Sequence, residues 1–164
     1  MDNKLIEPLI SLIGDKKEVK IADIGSGPKS RIGNYLLGVK IEVYPSDKNR
    51  QFVDVEYQNM EKLTHPNEFF DIVYCSNALD HTYNAAGAVR EMIRVCKEGG
   101  WVYIECWLDQ RDTGYKHYWN AKEDGMFSGG EGEFDLKDFG FQIKYIKEYE
   151  ERRYNRIIAI LQKE

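Results

Sequence analysis

The segment best equipped for chemistry is Val19-Lys20-Ile21-Ala22-Asp23-Ile24-Gly25-Ser26-Gly27-Pro28. An apolar, β-branched run ends in a carboxylate, and two glycines follow one residue apart. Gly25 is free to take a turn at positive φ, and Gly27 lets a ligand approach bare backbone. The next apolar run, Val39 to Tyr44, is followed by a second acid, Asp47. At the end of the neighbouring strand of a doubly wound sheet, an acid faces the same crevice and can chelate ribose hydroxyls. A Gly-x-Gly alone marks only a tight turn. With a strand before it and an acid at the next strand end, it predicts a nucleoside site built on Asp23, Gly25, Ser26, Gly27 and Asp47.

The surroundings of the glycines narrow the ligand. The dinucleotide fingerprint places a third Gly or Ala three residues after the second; here that position is Ser30, behind Pro28 and Lys29. The helix that would hold a pyrophosphate on its N-terminus is also cut short. An acid two residues before Gly25 suits a ligand bearing an ammonium and a sulfonium better than one bearing a pyrophosphate. S-adenosylmethionine carries both groups.

Methyl transfer from a sulfonium needs chiefly an in-line approach, so positioning can carry most of the rate and a base is optional. Asp80 and His81, just past the fourth apolar run, are the candidate catalytic residues. His81 serves either as a base or, in a structural role, as packing over the cofactor or a cap on the following helix. His117, in Tyr115-Lys116-His117-Tyr118-Trp119-Asn120, follows the fifth run. With Trp119 it could roof an acceptor pocket, and its aromatic setting suits sugar or ring acceptors. His65 precedes Pro66 in a polar loop and has no assigned role. Histidines spaced 16 and 36 residues apart form no ligand cluster along the chain, so no metal is expected.

These residues need a frame that sets strand ends side by side. Apolar, β-branched runs recur at Val19–Ile24, Val39–Tyr44, Phe52–Val55, Phe69–Cys75, Trp101–Cys106, Phe141–Ile146 and Tyr154–Leu161. Leu5 to Ile13 has helical spacing and stops at Gly14. In Ala85 to Lys97, apolar Val89, Met92, Ile93 and Cys96 fall on one helical face, with Arg90, Glu91 and Arg94 opposite. Strands alternating with helices predict an α/β fold with a doubly wound, mostly parallel, Rossmann-like sheet. Only Lys147 to Arg153 separates the last two runs, which predicts an antiparallel hairpin at the edge.

The first and second crossovers are shortened. Ser30 to Gly38 leaves room for barely two helical turns, and Pro45 to Gln51 is well below the dozen or so residues of a parallel crossover. The third strand is therefore expected to be stunted or to run against its neighbour. With no repeat and no Pro/Ser-rich linker, the 164 residues fit one domain, 1–164. The glycine-rich, acidic stretch Gly125 to Glu133 reads as a loop over the mouth of the site or as a solvated face.

Composition limits the partners. Aromatic residues at 13% are far more than a disordered tail carries. Lys+Arg 23 against Asp+Glu 28 gives a net charge of −5, without the basic stripe that a phosphate backbone requires, so no nucleic-acid partner is expected. Cys75, Cys96 and Cys106 match no metal or disulfide spacing and read as small buried hydrophobes. The apolar stretch near the N-terminus is too short and too interrupted for a signal peptide or a membrane span. The expectation is a reduced, cytoplasmic protein with no membrane partner.

From about Val19 to Cys106 the sequence resembles the class I S-adenosylmethionine-dependent methyltransferases, close to the compact type 11 methyltransferase-like group. Asp23-Ile24-Gly25-Ser26-Gly27-Pro28 is similar to the cofactor loop, and Tyr44-Pro45-Ser46-Asp47 to the second-strand acid. Gln58-Asn59-Met60-Glu61-Lys62-Leu63 resembles the segment along the adenine, with Asn59 where the family more often has Asp. Asn77-Ala78-Leu79-Asp80-His81 resembles the family's Leu-Glu-His turn, and Arg94-Val95-Cys96-Lys97-Glu98-Gly99-Gly100 its helix exit. The resemblance adds Asn59, Met60 and Asn77 to the cofactor residues. It implies methyl transfer from S-adenosylmethionine to a small-molecule or glycan acceptor, at O or N. The alternative is a nucleoside-binding protein without turnover, acting as a partner or regulator. A nicotinamide oxidoreductase is weaker, given Ser30 and the missing phosphate helix. The fourth-strand exit Ser76-Asn77-Ala78-Leu79 lacks the Asn/Asp-Pro-Pro-Tyr/Phe signature of enzymes that methylate amino groups of bases.

Overall fold

Period-two alternation in the apolar runs feeds two opposite faces of one sheet. In β1 (Glu18–Ile24), Val19 and Ile21 pack on one side while Ala22 and Ile24 pack on the other. Strands buried on both faces read as continuous apolar runs, the signature of the parallel sheet interior. The structure, a computed structural model, describes residues 11–30, 32, 35–36, 38–108, 117–129, 132–146 and 155–164.

The remaining strands are β2 (Tyr35–Leu36), β3 (Val39–Asp47), β4 (Glu56–Tyr57), β5 (Phe70–Ser76), β6 (Cys96–Trp107), β7 (Trp119–Ala121), β8 (Met126–Gly129), β9 (Gly132–Asp135), β10 (Gln142–Ile146) and β11 (Arg156–Gln162). The main sheet runs β10-β11-β6-β5-β1-β3-β2, with β4 also paired to β3. β1 lies parallel to β3 on one side and to β5 on the other, and β5 is parallel to β6. β11 is antiparallel to both β6 and β10, so the edge hairpin forms as expected. The fold is α/β with a mostly parallel sheet and an antiparallel edge. The chain leaves β1 toward β3 and later returns to β5 on the opposite flank, which makes the carboxyl ends of β1 and β5 a topological switch point.

The helix Ala85–Val95 lies on one face. Asn84 caps it by accepting from the Gly87 amide at 2.8 Å. Its buried face is Ala85, Ala88, Val89, Met92 and Val95, and the chain turns extended at Cys96 to enter β6. The opposite face gathers Ile13, Val19, Ile21, Ile41, Ile72, Tyr74, Tyr103 and Ile158. The three cysteines are buried and unbonded, and burial pushes the Cys96 thiol up to about 11. Among the described residues, no helix is long and apolar enough to cross a membrane.

Three expectations are corrected. Phe52–Val55 forms no strand: it is a turn region in which Val53 is 96% exposed. The stunted third strand is Glu56–Tyr57 instead, parallel to the end of β3, since too few residues precede it for a full crossover. In the first crossover, Tyr35–Leu36 turns back antiparallel on the start of β3 rather than helical. Within the Gly125 to Glu133 stretch, Met126–Gly129 and the start of Gly132–Asp135 belong to a second sheet, β7-β8-β9. Phe127 there is fully buried and stacks on Phe134 at 5.0 Å, anchoring a stretch whose glycines and acids disguised it. Of the helix expected over Leu5 to Ile13, residues 11–13 are helical and Gly14 ends it at φ 58°; the rest lies outside the described residues.

Candidate functional site

The glycine loop is held by the strand beside it. Register pairs Ile24 with Ser46, so the Gly25 and Ser26 amides both donate to the Ser46 carbonyl, at 2.8 and 3.0 Å. The Gly27 amide donates to Asp47 Oδ2 at 3.1 Å, and Asp47 Oδ1 accepts from the Asn49 amide at 2.9 Å. Three consecutive loop amides are thus committed inside the protein. Ser26 Oγ donates to the Gly27 carbonyl at 3.1 Å.

The two glycines differ in what surrounds them. Both sit at positive φ, 71° for Gly25 and 70° for Gly27. A Cβ on Gly25 would lie 2.3 Å from Ala78 Cβ and 3.5 Å from Met60 Cε, so the loop is pressed against the exit of β5. A Cβ on Gly27 would meet nothing within 4 Å. Gly27 therefore presents open backbone, as a ligand cradle requires. Asp23, 4% exposed, accepts from Ser30 Oγ at 2.5 Å, and Ser30 Oγ accepts from the Ile32 amide at 3.1 Å. The residue that breaks the dinucleotide fingerprint is the one that positions the Asp23 carboxylate. With the amides of Gly25, Ser26 and Gly27 committed, the described part of the loop presents carboxylate acceptors rather than backbone anion-binding donors. Such acceptors suit an ammonium, a sulfonium and hydroxyls, and among the described residues the three loop amides are not free for a pyrophosphate.

Met60 reaches the glycine loop from the segment after β4, next to Asn59. Asn59 Oδ1 accepts from the Glu61 amide at 3.0 Å, while Met60 sits against Gly25. Asn77, at φ 49°, ties two strand exits together: its amide donates to the Glu105 carbonyl at 2.8 Å, and its Oδ1 accepts from the Trp107 amide at 2.8 Å. Sequence reasoning gave no role to Glu61. Its Oε1 accepts from Thr82 Oγ1 at 2.5 Å and from the Tyr83 and Asn84 amides at 2.8 and 3.1 Å. Burial pushes this carboxyl up, but those hydrogen bonds and the Lys48 charge outweigh it and hold it below the usual range. No local pattern could reveal this link, because its partners lie more than 20 residues away.

At the exit of β5, the 3-10 turn Leu79–His81 presents Asp80 and His81. Asp80, 4% exposed, meets His117 Nδ1 with Oδ2 at 2.6 Å and His81 Nε2 with the same oxygen at 3.9 Å. The imidazole closest to the carboxylate is thus His117, not His81. The two rings lie 4.2 Å apart, tilted by 39°. The Tyr118 amide donates to the Asp80 carbonyl at 2.8 Å, which pins the His117 loop over the turn. Lys48 Nζ donates to the His81 carbonyl at 2.9 Å, bringing the cluster beside the end of β3 where Asp47 sits. Trp119 is 6% exposed; its indole N–H donates to the Thr82 and Tyr83 carbonyls and its ring packs edge-on against Phe134. His65 is held among Tyr44, Phe69 and Phe70. The spacing argument against a histidine cluster is corrected here: two of the three histidines converge with Asp80 in space.

The family model described as a methyltransferase domain matches residues 23–104, half of the chain. The chain is 35% identical over 100 residues to the ubiquinone/menaquinone biosynthesis C-methyltransferase UbiE of Coxiella burnetii, over 61% of this chain and 37% of that protein. It is 25% identical over 173 residues to the sterol 24-C-methyltransferase erg-4 of Neurospora crassa, over 88% of this chain and 45% of that protein. The chain spans less than half the length of the curated relatives it matches. Its fold is similar to that of an S-adenosylmethionine-dependent methyltransferase from Aquifex aeolicus, with TM-score 0.59, 17% identity, and coverage of 98% of this chain and 93% of that one.

Proposed function

The chain belongs to the S-adenosylmethionine-dependent methyltransferase family, and on that premise we propose that it moves the methyl group of S-adenosylmethionine onto a carbon of a small acceptor. The observation that carries the reading is the loop whose three amides are all committed to Ser46 and Asp47 while Gly27 stays open. Such a crevice takes cations and hydroxyls and disfavours a pyrophosphate. Asp23, Gly25, Ser26 and Gly27 hold the ammonium and sulfonium end. The lone pairs of Asp47 not used by the chain take the ribose hydroxyls. Asn59 and Met60 lie along the adenine, and Asn77 shapes the wall opposite Gly25. When bound, the cofactor supplies an electrophilic methyl group.

The names of both curated relatives favour carbon over the O or N acceptor expected from sequence, and neither favours a glycan. The acceptor is activated at the Asp80–His81–His117 cluster, whose Asp80 and His81 follow Ala78 in the turn after β5, with Trp119 bracing His117 against that turn.

Calorimetric titration with S-adenosylhomocysteine and with NAD tests this. The first is expected to bind and the second to fail; NAD binding alone overturns the reading. Asp47→Ala is expected to lose about tenfold or more in S-adenosylhomocysteine affinity, because charge-assisted hydrogen bonds contribute about 1.5–3 kcal/mol each. Cofactor binding with no turnover on a panel of quinols, phenols and sterols would favour a binding protein instead.

A further inference from the structure

The geometry points to a divalent transition-metal site made by Asp80, His81 and His117, with the ion held by one carboxylate and two imidazoles. The three side chains offer donor atoms that all lie within 4.8 Å of one another. Donors sharing a zinc-like ion at about 2.1 Å sit roughly 3–4 Å apart. The observed 2.6 and 3.9 Å from Asp80 Oδ2 straddle that range, so small side-chain rotations suffice to admit an ion.

A second observation separates this from an ordinary hydrogen-bonded Asp–His pair. Asp80 is 4% exposed, and its Oδ1 is buried with no hydrogen-bond partner among the described residues. The ion pairs described for Asp80 are with the two histidines and with no Lys or Arg. A buried carboxylate is normally paired with a full positive charge, or else it coordinates a metal. The contact with His117 engages Oδ2 alone and leaves Oδ1 unpartnered among the described residues, whereas an ion bound by the carboxylate can engage it. The imidazole side chains keep partial exposure, 27% for His81 and 16% for His117, so an ion has a way in.

The donor set selects the ion. Two imidazoles and one carboxylate suit zinc, iron, nickel or copper better than magnesium or calcium, which take oxygen-rich shells. Three protein donors also leave positions open, the arrangement of a catalytic rather than a structural site. With Ala78 packed on Gly25 and Asp80 two residues further on, those positions neighbour the cofactor crevice. There the ion would acidify a bound acceptor hydroxyl, whose proton leaves to solvent, and the resulting oxyanion would make its conjugated carbon nucleophilic toward the methyl group. That use rests on the methyltransferase reading; the binding of the ion does not.

The test is calorimetric titration of the chelator-dialysed chain with zinc, nickel and magnesium, without cofactor or acceptor. The expected result is one zinc or nickel ion per chain with a dissociation constant of about 1 µM or tighter, and magnesium at least about a hundredfold weaker. Asp80→Asn and His117→Ala should each weaken zinc by about tenfold or more, as should His81→Ala, whose partly exposed site tolerates truncation. Replacing His65, outside the cluster, should leave zinc affinity unchanged. Cobalt loading followed by visible d–d absorption gives an independent reading of imidazole and carboxylate coordination. No zinc or nickel binding up to about 100 µM overturns the proposal, as does zinc binding unaltered in all three variants. Titrating the same samples with S-adenosylhomocysteine keeps the two readings apart. Zinc failure with cofactor binding intact sinks the metal site alone, and the converse sinks the methyltransferase reading alone.

Discussion

The glycine loop and the β5 exit sit side by side, joined at the contact between Gly25 and Ala78, yet they are built on opposite terms. In the loop the amides of Gly25, Ser26 and Gly27 have acceptors within 3.1 Å, all supplied by Ser46 and Asp47. Its shape is complete before any ligand arrives. At the β5 exit, a buried carboxylate meets two imidazoles and keeps one oxygen without a partner among the described residues. The first region is preorganised by backbone, so it recognises by shape and by the acceptors it leaves over. The second gathers a carboxylate and two imidazoles whose side chains converge on one another. Preorganisation suits the part of the site that binds the same cofactor in every turnover.

The sharpest way to break that comparison is to strike the contact where the regions meet. Gly25→Ala adds a methyl that would sit 2.3 Å from Ala78 Cβ, at a φ that L-residues avoid. Strain and overpacking together should cost roughly 3 kcal/mol, a fall in Tm of about 6–12 °C for a chain of this size. S-adenosylhomocysteine binding should disappear with it. Gly27→Ala is the control, since its methyl meets nothing within 4 Å. It should cost only about 1 kcal/mol of stability while still abolishing binding, as the methyl fills the open face. Equal Tm losses in the two variants would show that the loop does not press on the β5 exit.

A smaller effect is expected at Glu61, which ties the segment after β4 to Thr82, Tyr83 and Asn84 just past the cluster. Glu61→Ala should lower stability by roughly 1–2 kcal/mol, discounted because the carboxylate is only half-buried. The pH dependence has a definite sign. A carboxyl held below its usual range contributes stability above the unfolded-state pKa, about 4.3, and loses that contribution as pH falls through the folded value. Thermal melts of wild type and Glu61→Gln should therefore differ most near neutrality and converge toward about pH 3. A constant difference across that range would mean that the charge of Glu61 is not what matters.

The smallest effect sharpens the boundary of the site. Val53, 96% exposed in the turn before β4, touches neither region. Val53→Ser should leave Tm and S-adenosylhomocysteine affinity unchanged within about 0.5 kcal/mol. A larger loss would place that turn against a ligand or a partner surface.

The sequence by itself determined the parallel core, the glycine loop, the strand-end acid and the hairpin at the edge. Each follows from neighbours in the chain: alternation along β1 assigns both faces, and a carboxylate two residues before Gly25 stands at a strand end wherever that strand lies. The short crossovers were legible in the same way, since chain length limits what can be spanned. Where composition spoke for the wrong partner, the reading failed. Phe52–Val55 looked like a strand because it is apolar, but the chain between β3 and β4 is too short to lay it in the sheet. Gly125 to Glu133 read as a loop or a solvated face because it is acidic and glycine-rich, but Phe127 in Met126–Gly129 and Phe134 in Gly132–Asp135 stack within a second sheet.

The tertiary structure alone decided the cluster. Asp80 and His117 lie 37 residues apart and meet at 2.6 Å because the Tyr118 amide reaches the Asp80 carbonyl and the Trp119 indole reaches the carbonyls of Thr82 and Tyr83. Glu61 gains its role the same way, from donors on a turn that comes later in the chain. Local propensity and periodicity report only what lies within a few residues. A contact between two loops depends on where the sheet delivers their ends, and on which donor finds which carbonyl once they arrive.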